Sequence, residues 1–116
     1  MVCILVVDDD VSVCTCIAEF LRLEGHDVAE TFDGFRALAI AKERGQNISV
    51  VLTDVNMPGM DGIEMWKQMK PLLPPDCKVV FMSGMAQRYL QDGSQIPGEV
   101  IQKPFLFPLL VEKLFS

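Results

Sequence analysis

Short apolar runs that stop abruptly at polar residues are the feature that most constrains how this chain folds. The first run, residues 3–7, reads Cys-Ile-Leu-Val-Val and ends at three consecutive aspartates. A continuous apolar run of this length is typical of a strand that is buried on both faces, as strands in a parallel sheet are. Further strands are predicted over residues 27–32, 49–53, 78–82 and 99–102.

Segments with the apolar spacing of helices separate these runs. In the first segment, Val13, Ile17 and Leu21 recur at helical intervals. Ser12 is its predicted N-cap, and Gly25 is its predicted stop. The same patterns predict helices over residues 34–44, 63–69 and 86–91, and a last helix with Pro108 in its first turn that ends near residue 115. Strand and helix thus alternate five times, which predicts an α/β fold with a parallel sheet covered by helices on both faces.

Length, composition and charge limit the classes of protein that this chain can belong to. Its 116 residues, half of them hydrophobic, predict a single domain over residues 1–116. A net charge of −6 argues against direct binding of nucleic acid, which needs a basic surface. No apolar run approaches the roughly 18 residues of a membrane span, so we expect no membrane contact. The four cysteines lack zinc-site or CxxC spacing, and we expect reduced thiols in a cytoplasmic protein.

Polar residues follow four of the five predicted strands at the point where each strand ends. Asp8 and Asp9 follow the first strand, and Asp54 follows the third. Ser83 follows the fourth strand, and Lys103 follows the fifth. Ligands of open parallel sheets bind at the carboxyl ends of the strands. We therefore expect these five side chains, which are far apart in sequence, to meet in one site.

The three carboxylates of this predicted site indicate a cation. At a separation of about 4 Å, each pair of charges repels by roughly 4 kcal/mol at an effective dielectric constant near 20. Such a cluster holds a proton or binds a cation, and oxygen ligands favour Mg²⁺, which commonly shares its shell with phosphate. Together with the Lys103 ammonium and the Ser83 hydroxyl, the acids predict a phosphoryl-binding site. Asp54, alone at its strand end, is the best candidate for a carboxylate nucleophile that forms an acyl phosphate.

Four segments of the sequence resemble the signature segments of response-regulator receiver domains. They are Val6-Val7-Asp8-Asp9, residues 54–62, residues 82–84 and Lys103-Pro104-Phe105. The resemblance spans essentially the whole chain, with the segments in the order and spacing of that family. It implies a flavodoxin-like (βα)5 fold, a doubly wound parallel five-stranded sheet in the order 2-1-3-4-5. It also implies a cis peptide bond between Lys103 and Pro104.

The resemblance assigns a role to each residue of the site. Asp54 is implied as the phosphoacceptor, and its partner is a phosphohistidine on a histidine kinase or a histidine phosphotransfer protein. Asp9 and Asp54 are implied as Mg²⁺ ligands, with Asp8 acting through water and Asn56 contributing its backbone carbonyl. Lys103 would pair with the phosphoryl group, and Ser83 would close on it. The resemblance thus implies a switch in two-component signalling rather than an enzyme.

One position departs from the family pattern. Three residues before the lysine, where the family usually has Tyr or Phe, this chain has Val100. We hypothesise that signalling relies instead on shifts of the loop of residues 83–85 and of the fourth helix. Met85 and Asn56, two residues beyond Ser83 and Asp54, occupy positions that tune hydrolysis of the acyl phosphate in this family.

Two other functions stay open at this point. The first is a receiver-like scaffold that is never phosphorylated, which Val100 keeps open. The second is an aspartyl-phosphate phosphatase of the haloacid-dehalogenase type, which uses Asp-x-Asp-x-Thr, whereas Asp54-Val55-Asn56 lacks the second acid. The chain is either a stand-alone regulator or part of a longer protein. Residues 81–84 and 102–105 resemble receivers attached to hybrid sensor kinases, and in that case the parent chain would be a kinase.

The remaining polar and apolar residues of interest are predicted to be structural or to lie in an interface. Asp10 is interpreted as a solvated residue at a helix start, Asp61 as a turn residue and His26 as a surface-loop residue without a catalytic role. Several large apolar residues lie near the end of the chain. We expect some of them in the core and others in a partner surface. A homodimer through the fourth and last helices therefore stays open. The large apolar residues are Phe105, Leu106, Phe107, Leu110 and Leu114.

Overall fold

The computed structural model describes residues 3–88 and 96–115. Its strands are β1 (Cys3–Val7), β2 (Asp27–Thr31), β3 (Val50–Asp54), β4 (Lys78–Ser83) and β5 (Glu99–Gln102). Its helices are α1 (Val11–Leu23), α2 (Gly34–Arg44), α3 (Gly62–Met69), the helical residues 86–88, named α4, and α5 (Phe107–Phe115). Short 3₁₀ turns follow α2 at Gly45–Asn47 and α3 at Lys70–Leu72. Residues 89–91 of the predicted fourth helix lie outside the described residues.

All five strands pair in parallel in the order β2-β1-β3-β4-β5, which confirms the predicted fold. The register aligns the carboxyl ends of the strands: Val7 lies opposite Thr53, and Ser83 lies opposite Gln102. The residues that follow these positions therefore emerge at one edge of the sheet.

Two apolar cores, one on each face of the sheet, fix the helices against the strands. Successive strand residues point to opposite faces. Leu5, Val51 and Phe81 pack with buried side chains of α2 and α3 on one face, among them Ala37, Met65, Trp66 and Met69. Ile4, Leu52 and Met82 pack with α1 and α5 on the other face, through Ile17, Leu21, Leu110 and Leu114. Each fully buried large side chain contributes about 1.5–3 kcal/mol to the free energy of unfolding. The two cores therefore stabilise the sheet whose edge carries the polar residues.

The apolar residues at the end of the chain divide between core and surface. Leu110 and Leu114 of α5 are buried, whereas the Leu106 side chain is 77% exposed. The Phe107 ring stacks on Phe20 of α1 at a centroid distance of 4.2 Å. Thus α5 joins the core through one face and leaves apolar side chains at its beginning in solvent.

Aspartates begin three of the helices, and one predicted cap is wrong. The Asp10 side chain accepts a hydrogen bond from the Val13 N–H, so Asp10 and not Ser12 caps α1. Both residue types suit a cap, but α1 begins earlier than the apolar spacing indicates, and Ser12 lies inside its first turn. Asp33 and Asp61 cap α2 and α3 in the same way. The interpretation of Asp10 as a helix-start residue is confirmed, whereas Asp61, interpreted as a turn residue, is the N-cap of α3.

Several smaller expectations can be placed on the fold. The Lys103–Pro104 peptide bond is cis, as predicted. His26 precedes β2 at the amino-terminal edge of the sheet, and its half-buried ring stacks on Phe115 at 4.6 Å. The His26 side chain is therefore less exposed than its interpretation as a surface-loop residue implies. Within residues 3–88 and 96–115, no helix has both the length and the apolar character needed to cross a membrane.

Gly62, the first residue of α3, lies against the backbone of Asp54. A Cβ atom at this position would overlap the Asp54 carbonyl oxygen, and the Gly62 N–H donates to Val55 O at 2.8 Å. We expect Gly62→Ala to lower the free energy of unfolding by about 1–3 kcal/mol, because backbone must move to admit the methyl group. Urea unfolding measures this. Gly84→Ala, where the added Cβ meets no atom within 4 Å, is the control and should change the free energy by less than about 0.5 kcal/mol. Equal effects of the two substitutions would contradict the close approach.

Candidate functional site

Three aspartates meet at the carboxyl-terminal edge of the sheet. Asp8 and Asp9 follow β1, and Asp54 ends β3. One oxygen from each carboxylate lies within 4.8 Å of the other two. Asp8 is fully buried, Asp54 is 8% exposed and Asp9 is exposed. The three acids form a cluster that is closed towards the sheet and open to solvent at Asp9.

Lys103, which follows β5, reaches into this acidic cluster. Its Nζ atom lies 2.6 Å from Asp8 Oδ2 and 3.5 Å from Asp54 Oδ2. The Lys103 backbone N–H donates to Ser83 O at 2.8 Å, so the end of β5 is tied to the end of β4. The Lys103 side chain therefore extends from β5 past the carboxyl ends of β4 and β3 to reach the two buried acids.

Other hydrogen bonds fix the acids from their own strands. Asp8 Oδ1 accepts the Asp10 N–H at 2.9 Å, so the residue that caps α1 also orients the buried carboxylate. The Asp8 backbone N–H donates to Thr31 O of β2 at 3.1 Å. At Asp54, the Thr53 hydroxyl donates to the Asp54 backbone carbonyl at 2.9 Å. These bonds hold the backbone and leave the Asp54 carboxylate facing the cluster.

Burial and charge shift the protonation of the central groups. Burial, with further repulsion from Asp8 and Asp9, raises the pKa of Asp54 from 3.8 to about 6, although Lys103 opposes the change. Burial alone would lower the pKa of Lys103, but the hydrogen bond and charge of Asp8, together with Asp54, outweigh it and raise that pKa. Lys103 therefore stays charged, and Asp54 ionises at higher pH than an ordinary aspartate.

The donor set fits a small divalent cation. Three carboxylates face one ammonium group, so the cluster carries excess negative charge that a cation would neutralise. Carboxylate and backbone carbonyl oxygens are ligands that Mg²⁺ prefers. Asn56 is exposed in the loop between β3 and α3, two residues beyond Asp54. The family resemblance implies its backbone carbonyl as a ligand at this site.

Ser83 ends β4 beside the cluster and is fully buried. Its Oγ atom accepts the Met85 N–H at 3.0 Å, which turns the hydroxyl towards its own loop. Among the described residues, it makes no hydrogen bond to an aspartate. Ser83 thus lies near the acids but is engaged elsewhere in this conformation.

Sequence reasoning missed Gln102, the last residue of β5. Its carboxamide makes three hydrogen bonds, to Gly84 O, Lys103 O and Ala86 N. A glutamine on an exposed strand end gives no signal by residue type, because its partners become neighbours only when β4 and β5 pair. The available sequence signal was its position directly before Lys103. In the structure, Gln102 lies opposite Ser83 in the register of β4 and β5.

Two clefts flank the site. One, of about 320 Å³, is mostly apolar and is lined by Ser12, Val13, Cys16, Ile17, Lys103, Pro104, Phe105 and Phe107. The other, of about 600 Å³, is lined by Gly84, Met85, Ala86, Gln87, Arg88, Val100 and Gln102. Val100, at the position where the family usually has an aromatic residue, is half-buried and packs against the core shared with α2 and α3.

Comparisons with known proteins agree with this geometry. The family model described as the response regulator receiver domain matches residues 4–115. The transcriptional regulatory protein ZraR of Salmonella typhimurium is 48% identical over 71 residues, which are 61% of this chain, but the chain spans only 16% of that protein.

Two solved structures are similar over nearly the whole chain. The receiver domain of the hybrid histidine kinase CckA is 33% identical, with a TM-score of 0.80 over 95% of this chain and 93% of that one. The response regulator TrrA of Thermotoga maritima, solved in complex with Mg²⁺ and BeF, is 30% identical, with a TM-score of 0.79 over 97% of this chain and 96% of that one.

The raised pKa of Asp54 makes a prediction about stability. In metal-free buffer near pH 8, Asp54 is ionised in both the folded and unfolded states. Burial and repulsion of the carboxylate in the folded state therefore lower the free energy of unfolding. We expect Asp54→Asn to raise the free energy of unfolding by about 1–3 kcal/mol at this pH. This gain should shrink as the pH falls from about 6 towards 4, because the folded protein then takes up the proton. Urea unfolding in a chelating buffer at pH 8 and pH 4.5 measures the difference.

The control for this measurement is Asp33→Asn, at a partly exposed helix cap outside the acidic cluster. Asparagine caps helices about as well as aspartate, so the free energy should change by less than about 0.5 kcal/mol at both pH values. A gain from Asp54→Asn that is the same at pH 8 and pH 4.5 would contradict the electrostatic origin.

Proposed function

Because the chain belongs to the response regulator receiver domain family, we propose that it is a phosphoacceptor of a two-component phosphorelay, in which Asp54 takes a phosphoryl group from a phosphohistidine. The observation that carries the proposal is the convergence of Asp8, Asp9, Asp54 and Lys103 at one edge of the sheet. Three chain segments contribute to this cluster, and its acids, its ammonium group and the neighbouring Ser83 hydroxyl are the groups that phosphoryl transfer requires.

In this proposal, Asp8, Asp9, Asp54 and the Asn56 backbone carbonyl hold Mg²⁺. The bound ion supplies positive charge against the phosphoryl oxygens. The excess of carboxylates over ammonium groups in the cluster supports this assignment. The neighbouring TrrA structure, solved with Mg²⁺ and BeF, adds support by similarity.

The reaction itself needs only groups that lie at this edge. The ionised Asp54 carboxylate attacks phosphorus, a P–O bond forms, and the P–N bond of the phosphohistidine breaks. The leaving imidazole keeps the electron pair of that bond and takes a proton from solvent. Lys103 Nζ, already 3.5 Å from Asp54 Oδ2, places its charge beside the transferred oxygens, and the Ser83 hydroxyl donates to them. Asp54 must be ionised to attack, and a Mg²⁺ ion bound beside it would favour that ionised form.

The partner in this proposal is a histidine kinase or a histidine phosphotransfer protein. Its histidine must reach Asp54, and the apolar cleft of about 320 Å³ begins at Lys103 beside that residue. Val13 and Phe105 in this cleft offer apolar surface to a partner helix that carries the histidine. The domain works in the cytoplasm, where free cysteine thiols such as Cys16 are the rule.

Chemical phosphorylation tests the proposed function. After treatment with acetyl phosphate and Mg²⁺, the intact mass of the wild-type protein should increase by one phosphoryl group. Asp54→Asn should abolish the increase, because it removes the proposed nucleophile. Asp61→Asn, at the exposed cap of α3, is the matched control and should be labelled like the wild type. Equal labelling of Asp54→Asn and wild type would sink the proposal.

The exposed Met85 side chain gives a second test, on the lifetime of the phosphoryl group. Met85 is 53% exposed and lies two residues beyond Ser83, where its apolar side chain cannot orient water. We expect Met85→Glu to shorten the half-life of the acyl phosphate by roughly tenfold or less, because a carboxylate there can position the attacking water. Met85→Leu keeps the side chain apolar and should leave the half-life unchanged. The decay of phosphorylated protein by intact mass measures both, and identical decay for the two variants would refute the role of Met85.

A further inference from the structure

The side chain of Gln102 joins the end of β5 to the loop between β4 and α4. Its Nε2 atom donates to Gly84 O and to Lys103 O, each at 2.7 Å. Its Oε1 atom accepts the Ala86 N–H at 2.9 Å. The carboxamide thus uses both of its donors and its acceptor, and every bond is to backbone.

These bonds satisfy groups that the helix and loop leave open. Ala86 is the first helical residue of α4, and the N–H groups of a first helical turn have no partner within the helix. Gln102 supplies the missing acceptor from a neighbouring strand. Its donor to Gly84 O fixes the loop one residue beyond Ser83. A single side chain therefore caps α4 and holds the loop that leads into it.

The same loop carries the hydroxyl that the proposed function requires at the phosphoryl group. Ser83 Oγ now accepts the Met85 N–H at 3.0 Å, so the hydroxyl is turned into its own loop. Bringing it to Asp54 breaks this bond, and in the closure required by the proposed function Gly84 and the start of α4 shift relative to β5. That displacement stretches the bonds that Gln102 makes on both sides of Met85.

We propose that Gln102 is a positioning residue that stabilises the loop of residues 84–86 in its unphosphorylated conformation, and so opposes the closing of Ser83 on a phosphoryl group. This inference rests on the proposed function and adds its regulation. Val100 lies on the same strand and lines the same cleft, but it has no polar atom with which to hold the loop. The carboxamide of Gln102 couples the state of Asp54 to the surface formed by Met85, Arg88 and Val100.

The test compares Gln102→Leu with the wild type in two measurements on the full chain. Amide hydrogen exchange, followed by NMR without phosphoryl analogue, should show the Ala86 amide exchanging at least about tenfold faster, because its acceptor is gone. Calorimetric titration with beryllofluoride and Mg²⁺ should show binding roughly 3- to 10-fold tighter, since about one net hydrogen bond no longer opposes closure. Gln102→Ala removes the same bonds without adding apolar surface and should reproduce both changes.

Two controls separate positioning from a general effect on the fold. Gln87→Leu removes an exposed carboxamide from the same cleft that makes no hydrogen bond within residues 3–88 and 96–115, and it should leave both measurements unchanged. In a Ser83→Ala background, Gln102→Leu should no longer tighten beryllofluoride binding, because the effect acts through the Ser83 hydroxyl.

The outcomes distinguish this inference from the proposed function. Wild-type protein that binds no beryllofluoride would overturn the proposed function and the coupling with it. Wild-type binding together with an unchanged dissociation constant in Gln102→Leu and Gln102→Ala would overturn the coupling alone. Tighter binding that persists in the Ser83→Ala background would also overturn it, because Gln102 would then act by another route.

Discussion

The ion pair between Lys103 and Asp8 is the interaction on which the site depends. Its two residues are 95 positions apart in sequence, and their side chains meet at 2.6 Å. Asp8 is fully buried, and a buried carboxylate without a partner costs several kcal/mol. Lys103 offsets this cost and also lies 3.5 Å from Asp54, so one ammonium group makes two buried acids compatible with the fold. In the proposed function, the same charge lies beside the phosphoryl oxygens.

The parallel sheet makes this arrangement possible because it places remote chain segments side by side. β3 lies between β1 and β4, so Asp54 is central, with Asp8 and Asp9 on one side and Ser83 on the other. The central strands β1, β3 and β4 are buried on both faces, and their apolar packing supplies the free energy that offsets charge repulsion at the edge. Burial, with further repulsion from Asp8 and Asp9, raises the pKa of Asp54, so the cost of its charge is not fully offset at this edge.

The strands and the members of the acidic cluster could be predicted from apolar runs and the polar residues that follow them, whereas the strand order was implied by the family resemblance. A run such as residues 3–7 is apolar because it is buried, and the residue after it is polar because the sheet ends there. The start of α1 was predicted two residues too late, since Asp10 and Ser12 both have the chemistry of a cap and only the chain path out of β1 decides between them. The contacts of Gln102 were beyond prediction, because all three of its partners are backbone atoms, which carry no residue-type signal.

Val100 and Gln102 together indicate how a signal leaves the site in this chain. Residues two apart on a strand face the same side of a sheet, and both of these line the cleft beside α4. A large aromatic side chain at position 100 would respond to the position of the loop by occupying or leaving the cleft beside it, whereas the valine side chain is too short to do so. The Gln102 carboxamide responds instead through its three hydrogen bonds. These bonds break when the loop moves by a fraction of the bond length. The change at the family's aromatic position therefore does not leave β5 disconnected from the loop. The strand remains joined to the start of α4 by polar contacts, which are short-ranged and sensitive to small displacements.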